Sequence, residues 1–188
     1  KSFKITMNKK ILVVGGTGFI GFNLLKKLIS QKYDLSSIST KLPSKQKKIK
    51  GVKYIRLDIS KKKDFIKLHK IKFDTVINLG GYIDHSKVKK TFKSHFEGVK
   101  NLVNYFNDKD LQTFIQVGSS LEYGNVASPQ KENAKCKPRG NYGLAKYKAS
   151  NYLTTSKNLN FSFLILRLYQ IYGPHQDTSR LIIRMFMQ

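Results

Sequence analysis

Short apolar runs alternate with helical patterns along most of the chain. Runs rich in β-branched residues predict strands over 11–14, 35–40, 52–57, 75–79, 113–117 and 161–166. Apolar residues recurring every three or four positions predict helices over 22–28, 61–70, 92–106 and 142–155. Because the strands are apolar on both faces, the pattern predicts an α/β fold: a doubly wound parallel sheet with helices on both faces and right-handed crossovers.

The end of the chain carries a further apolar pattern. Arg180–Met187 predict a helix with an apolar stripe and no polar tail, and such a helix needs a partner surface. We therefore expect a second domain to begin near residue 174 and to be truncated in this chain. Met7 is a candidate natural start, which would make residues 1–6 a vector remnant, and the sequence leaves this open.

Composition narrows the class of protein. The 188 residues, 40% of them hydrophobic, suffice for one domain and the start of another. No apolar run approaches the roughly 18–20 residues that cross a bilayer, and the N-terminus shows no signal peptide. Cys136 is the one cysteine, and the four histidines are scattered. We expect a cytoplasmic protein with no membrane partner and no metal site.

The formal charge of +25 raises the question of a nucleic-acid partner. Only five of the 36 basic residues are arginine, which is the residue that base recognition favours, and the lysines are spread over predicted helix faces and loops. We therefore predict no nucleic-acid partner and favour a solvated lysine-rich surface. The alternative is an electrostatic aid to an anionic small substrate.

A glycine turn joins the first predicted strand to the first helix. Gly15, Gly18 and Gly21 follow directly after residues 11–14. Glycines at such a turn let backbone N–H groups approach a pyrophosphate at the positive end of the helix. The turn predicts a dinucleotide cofactor, and a chance glycine turn is the alternative.

Two further segments carry groups that could perform chemistry. Tyr142 and Lys146 lie four residues apart on a predicted helix and share a face, so the ammonium can favour the phenolate and make the tyrosine a general acid or base. Ser119 lies at the end of the fifth predicted strand, where open α/β sheets bind ligands. A Tyr/Lys pair on an ordinary helix and a Ser/Gly loop that merely ends a strand are the alternatives.

Together these segments resemble the extended short-chain dehydrogenase/reductase family, in particular its NAD-dependent epimerase/dehydratase group acting on nucleotide sugars. The resemblance implies a Rossmann-type domain over residues 1–173, a truncated substrate-binding domain beginning at 174–188, a nucleotide-diphosphate sugar as substrate and a homodimer at full length. It runs in order through Gly15–Gly21, Leu57–Ile59, Asn78–Gly81, Gly98–Leu102, Gly118–Gly124, Tyr142–Lys146, Leu166–Leu168 and Ile171–Pro174.

The resemblance also implies roles for single residues. Tyr142 would exchange a proton with the sugar, while Lys146 would bind the nicotinamide ribose and depress the tyrosine pKa. Asp58, with Ile59 beside it, would bind the adenine, although capping of the 60–70 helix is an equally sensible role for Asp58. Ser119 would be the third catalytic residue, and Ser119, Ser120 and Tyr142 would contact substrate. The implied cofactor-binding residues are Gly15, Thr17, Gly18, Phe19, Ile20, Gly21, Thr40, Lys41, Asp58, Ile59, Leu79, Gly80, Gly81, Tyr142 and Lys146.

The chain departs from the family pattern at several positions. The dehydratases carry an Asp-Glu pair after the catalytic threonine, where this chain has Ser120 and Leu121, so dehydration is disfavoured. Glu122 comes one residue too late and would point away on a continuing strand. His95 replaces the usual asparagine, and whether it reaches the site is open. Arg167 is either a site residue or an ion-pair residue at a strand end.

The end of the second strand bears on the choice of cofactor. Ser39, Thr40 and Lys41 stand where an acidic residue would hold the ribose of NAD, so we predict NADP, with NAD as the alternative. The leading hypothesis is an NADP(H)-dependent reductase of a 4-keto nucleotide sugar, with Tyr142 as proton donor. A 4-epimerase with tightly bound NAD and a catalytically idle NAD(P)-binding interaction protein are the alternatives.

Overall fold

A six-stranded sheet, parallel throughout, organises the chain. In the computed structural model, which describes residues 9–178 and 181–186, the strand order is β3-β2-β1-β4-β5-β6. This is the order of the Rossmann fold, so the predicted fold class is confirmed. The strands are β1 (Lys10–Val14), β2 (Asp34–Ser39), β3 (Val52–Arg56), β4 (Thr75–Asn78), β5 (Thr113–Ser119) and β6 (Ser162–Leu168).

The strand order creates a switch point beside β1. Ile11 of β1 pairs with Leu35 of β2 on one side and with Thr75 of β4 on the other. From β1 the chain crosses to β2 on one side, and from β3 it returns past β1 to β4 on the other side. A crevice therefore opens between β1 and β4 at their carboxyl ends. Ligands bind at such a crevice in open α/β sheets.

The helices cover both faces of the sheet. They are α1 (Phe19–Ile29), α2 (Val88–Phe92), α3 (Gly98–Asn107), α4 (Gly140–Thr155) and α5 (Leu181–Phe186). Short 3-10 helices span Lys45–Lys47, Lys62–Leu68 and Ser120–Glu122. The helix predicted over 61–70 is thus a 3-10 helix. The helix predicted over 92–106 consists of α2 and α3, joined by a π-helical turn at Lys93–Glu97. It begins at Val88, four residues earlier than predicted.

Two apolar layers hold the helices against the sheet. On one face Leu12, Leu102, Phe106 and Phe114 belong to a large buried cluster, and on the other Leu25 packs with a smaller one. Successive residues of a strand point to opposite faces, so β1 supplies both layers. In the apolar stripe predicted over 92–106, the buried residues are Val99, Val103 and Phe106, and the half-buried ones are Phe92 and Phe96.

The remaining predictions concern the chain ends and possible membrane or metal sites. Helix α5 lies within the predicted apolar helix, although Arg180 and Met187 fall outside the described residues, as do residues 1–6 and Met7. Within the described ranges no helix has the length and apolarity that crossing a membrane requires. Those ranges also bring together no group of three His, Cys, Asp or Glu side chains able to hold a metal ion.

Candidate active site

A cavity of about 480 Å³ opens at the carboxyl ends of β1, β2 and β4. We call it the strand-end cavity. Its volume falls in the range of small-molecule sites, and it lies at the switch point of the sheet. It is lined by Val14, Gly15, Thr17, Gly18, Ile38, Ser39, Thr40, Leu57, Asp58, Ile59, Ser60, Leu79, Gly80, Gly81, Tyr82, Lys90, Lys93 and Ser94.

The glycine turn forms the floor of the strand-end cavity. Gly15 has a φ of +81°, which side-chain-bearing residues rarely adopt, and a Cβ there would lie 3.0 Å from the backbone of Gly80. A Cβ on Gly21 would collide with the Gly15 carbonyl oxygen, so α1 packs directly on the turn. Gly18, before the first residue of α1, provides no side-chain cap, and the first turn holds no acidic residue. The free N–H groups of this helix end fit a pyrophosphate.

Asp58 takes part in a local turn and also lines the cavity. Its Oδ1 accepts hydrogen bonds from the N–H (3.0 Å) and hydroxyl (2.7 Å) of Ser60, while its own N–H donates to Oδ2 of Asp64 at 3.0 Å. These bonds initiate the turn before the 3-10 helix, which begins at Lys62. The N-cap position of that helix is Lys61, with no side-chain capping bond, so the predicted capping role of Asp58 is wrong: its carboxylate closes the preceding turn at Ser60. The predicted adenine contact stays a prediction.

The end of β2 presents hydroxyls to the strand-end cavity. The Oγ of Ser39 is buried without a hydrogen-bond partner, and Thr40 beside it is exposed. Lys41 does not line the cavity. The cations that do are Lys90 and Lys93, which come from α2 and the π-helical turn. Sequence reasoning missed them, because Lys90 lies before the helix predicted over 92–106; their three-residue spacing after β4 is the signal that could have found them.

A second group of polar side chains lies at the end of β5: Ser119, Glu122, Tyr142, Lys146 and Arg167. We call this group the polar cluster. Ser119 is the last residue of β5, where its Oγ accepts the Leu121 N–H at 3.2 Å. The Ser119 side chain also forms a hydrogen bond with Tyr142, the third residue of α4. The structure therefore brings these two predicted residues together.

Lys146 is buried beneath Tyr142. Its Nζ donates a hydrogen bond to the Val117 carbonyl oxygen at 2.8 Å and lies 5.8 Å from the centre of the Tyr142 ring. Burial lowers the pKa of Lys146 from 10.5 to about 8, and the nearby Glu122 carboxylate acts in the opposite direction. The predicted shared face of the two side chains is confirmed.

The predicted depression of the Tyr142 pKa is wrong. Burial raises the pKa of Tyr142, the hydrogen bond with Ser119 lowers it, and the Glu122 carboxylate raises it further. Loss of solvation outweighs the hydrogen bond because the phenolate would carry its charge in a largely buried place. The phenol therefore stays protonated near neutral pH.

Glu122 differs from its prediction. The strand ends at Ser119 and the chain turns into a 3-10 helix, so the carboxylate folds back instead of pointing away. Glu122 is fully buried; its Oε1 accepts the Ser119 N–H at 2.9 Å and its Oε2 pairs with Arg167 at 3.0 Å. The predicted ion-pair role of Arg167 is confirmed, and Glu122 acts by holding the backbone of Ser119.

The predicted cofactor residues divide into two groups. Nine line the strand-end cavity, whereas Phe19, Ile20, Gly21, Lys41, Tyr142 and Lys146 do not. His95 connects the cavity with the polar cluster: its ring packs against Gly81 of the cavity wall and lies edge-on to Tyr142, with ring centres 4.9 Å apart. The open question of whether His95 reaches the site is thus answered by direct contact.

Comparisons with known proteins agree with this architecture. The sequence profile of the NAD-dependent epimerase/dehydratase family matches residues 11–188. An ADP-L-glycero-D-manno-heptose-6-epimerase of Brachyspira hyodysenteriae is 28% identical over 181 residues, covering 89% of this chain and 56% of that protein. A dTDP-4-dehydro-6-deoxyglucose reductase of Escherichia coli is 28% identical over 197 residues, covering 94% and 61%.

A solved structure shows the same arrangement of elements. The UDP-glucuronic acid 4-epimerase of Bacillus cereus in complex with NAD superposes with a TM-score of 0.80 at 25% identity, covering 93% of this chain and 60% of that one. The chain spans a little over half the length of the curated relatives named above. From the profile match, the sheet order and the glycine turn, the chain belongs to the NAD-dependent epimerase/dehydratase family.

Proposed function

We propose that this chain is the cofactor-binding and proton-transfer part of an NAD(P)-dependent oxidoreductase that reduces a 4-keto nucleotide sugar. The observation that carries the proposal is the hydrogen bond between Ser119 and Tyr142 above the buried Lys146. Through His95, this group adjoins a cavity whose uncapped helix end suits a pyrophosphate.

The protonation states favour Tyr142 as proton donor. Burial raises the pKa of the phenol, so it holds a proton that a carbonyl oxygen needs on reduction. Ser119 would orient that oxygen by a second hydrogen bond, and Lys146 would stabilise the phenolate after the proton leaves. When bound, the nicotinamide cofactor supplies the hydride. Thr17, Gly18 and the N-terminus of α1 would hold its pyrophosphate.

A second candidate reaction is 4-epimerisation with a tightly held NAD. The support is the family itself, because named relatives include a heptose 6-epimerase and a UDP-glucuronic acid 4-epimerase solved with NAD. An epimerase would use the same Ser119, Tyr142 and Lys146. A catalytically idle NAD(P)-binding protein is disfavoured, because burying Lys146 and Glu122 costs stability that an idle site would not need.

The proposed cofactor preference is NADP(H). Support comes from Ser39 and Thr40 at the end of β2, where an acidic residue would repel a 2′-phosphate, and from Lys90 and Lys93 in the same cavity. Calorimetric titration of the protein with both cofactors tests this preference. NAD(H) binding tenfold tighter, a difference of about 1.4 kcal/mol, would contradict it.

The remaining proposals concern the whole protein. We propose that residues 1–173 are the cofactor-binding domain and that residues 174–188 lead into the part that selects the sugar. A nucleotide-diphosphate sugar is the proposed substrate, a homodimer the proposed assembly and the cytoplasm the proposed location. Gel filtration with light scattering of the full-length protein tests the assembly.

The reaction itself is tested on the full-length protein. We expect NADPH oxidation with dTDP-4-dehydro-6-deoxyglucose or a related 4-keto sugar, and no nucleotide released when the purified protein is denatured. Stoichiometric NAD in the purified protein, with interconversion of UDP-sugar epimers, would instead favour the 4-epimerase. Cofactor binding without turnover of any nucleotide sugar would support the idle alternative.

A further inference from the structure

Two histidines contact the Tyr142 ring from different sides. The His85 ring is stacked on it, with ring centres 4.0 Å apart and planes 13° apart. The His95 ring meets it at 85°, with centres 4.9 Å apart. The two imidazoles also contact each other, at 5.7 Å and 71°. Two of the four histidines in the chain thus pack against one phenol.

His95 is held rigidly in this arrangement. It lies in the π-helical turn, is 5% exposed, and its Nε2 lies 3.1 Å from the Tyr82 carbonyl oxygen. Because a carbonyl oxygen only accepts hydrogen bonds, Nε2 carries the proton and Nδ1 does not. Burial, followed by the charge on Lys146, lowers the pKa of His95 to about 3. The ring is therefore neutral at physiological pH.

Gly81 provides the space that the His95 ring occupies. A Cβ built on Gly81 would collide with Cε1 and Nδ1 of the imidazole. Gly81 also lines the strand-end cavity. The ring consequently lies between the cavity wall and Tyr142, and its position depends on the absence of a side chain at residue 81.

His85, unlike the buried His95, contacts the phenol from the exposed surface of the protein. It lies on the exposed loop between β4 and α2, next to a turn in which Asp84 Oδ1 accepts hydrogen bonds from the N–H and hydroxyl of Ser86. Parallel stacking fixes the plane of a ring, and an edge contact fixes its in-plane position. The stacked His85 ring therefore restrains the plane of the Tyr142 ring, and the edge-on His95 ring restrains its position within that plane.

We propose that His85 and His95 are positioning residues that hold the Tyr142 hydroxyl in place for proton transfer. The inference rests on the proposed role of Tyr142. Neither imidazole needs to exchange a proton, because both act through ring contacts. Displacement of a reacting group by about 1 Å can cost on the order of 100-fold in rate, so loosening the ring is expected to lower kcat more than it alters KM.

Substitutions of His85 provide the first test, in the full-length protein with NADPH and dTDP-4-dehydro-6-deoxyglucose. We expect H85A to lower kcat by roughly tenfold or more with little change in KM for NADPH, and H85F, which keeps a flat ring, to restore most of it. The control is H69A, since His69 is exposed and contributes nothing to the site. Unchanged kcat in H85A, or an equal loss in H85F, would overturn the proposal.

A second test needs no turnover. In the ligand-free protein, the ultraviolet titration of Tyr142 is isolated as the difference between wild type and Y142F. We expect H85A and G81A each to move the Tyr142 pKa from its raised value towards that of an ordinary tyrosine, and H85F to leave it raised. A Tyr142 titration that no substitution changes would refute the positioning role. An active Y142F enzyme would refute the proposed function instead.

Discussion

Half of the residues that line the strand-end cavity are Gly, Ser or Thr, whereas the polar cluster consists of buried and half-buried side chains that contact one another. In the cavity, Gly15 and Gly21 allow close approach of the backbone. In the polar cluster, Glu122 is fully buried and Lys146 nearly so, and each forms a hydrogen bond shorter than 3.0 Å.

This difference indicates two ways of building one site. A surface made of backbone N–H groups is fixed by chain geometry and tolerates changes of neighbouring side chains. A buried polar network depends on every member, since removing one partner leaves another charge or donor unsatisfied. We therefore expect single substitutions to act strongly and specifically in the polar cluster, and in the cavity chiefly where they change the backbone.

The largest effect should come from Tyr142→Phe in the full-length protein. Removing the hydroxyl removes the proposed proton donor and keeps the ring, so kcat should fall by roughly 10²–10⁴-fold while cofactor affinity barely changes. Ser119→Ala should cost less, because it leaves the donor in place. Steady-state kinetics and calorimetry measure both quantities. Tyr147→Phe on the same helix is the control, and near-normal turnover of the Tyr142 variant would count against the proposed function.

Glu122→Ala should have the next largest effect, on stability. It leaves the Ser119 N–H and the Arg167 guanidinium without their buried partner, so the free energy of unfolding should fall by about 3–5 kcal/mol. Urea denaturation measures the change. Lys72→Ala is the matched control, because its ion pair with Asp110 is exposed on both sides and should contribute under about 1 kcal/mol. Equal losses of unfolding free energy in the two variants would show that the buried ion pair contributes no more than the exposed one.

Gly21→Ala tests the glycine turn, the part of the site that is built from backbone. The new Cβ would meet the Gly15 carbonyl and lie 2.6 Å from Gly16 Cα, so the turn and the start of α1 must separate. We expect cofactor affinity to fall at least about tenfold, or ~1.4 kcal/mol, by calorimetry. Lys27→Ala on the exposed face of α1 is the control. If Gly21→Ala binds like wild type, the close packing is not required for binding.

The most gradual effect is a pH dependence carried by Lys146. Its folded pKa of about 8 lies below the ordinary 10.5 of an unfolded chain. Between these values the unfolded state binds more protons, so stability from Lys146 rises with pH and is lost as pH falls through about 8. The unfolding free energy of wild type, compared with Lys146→Met, should rise by up to about 1.4 kcal/mol per pH unit in this window. Parallel profiles would show that Lys146 titrates normally.

Most of the fold could be predicted from the sequence because its signals are local. The buried runs gave all six strands within two residues at each end. Helix α1 follows the glycine turn as predicted, although it begins at Phe19, three residues before the predicted start at Phe22. The Tyr142 and Lys146 pair followed from helical spacing alone. The 3-10 helix over Lys62–Leu68 and the π-helical turn were not predicted, because apolar spacing does not distinguish these helices from an α-helix.

The sequence by itself determined the sheet, the glycine turn and the identity of the groups at the end of β5, since each depends on neighbours along the chain. Only the tertiary structure decided that Glu122 folds back onto Ser119, that His95 fills the space beside Gly81, and that the Tyr142 pKa rises. These outcomes depend on burial and on contacts between residues distant in sequence. Spacing along the chain carries no measure of either, because solvation is a property of the packed molecule.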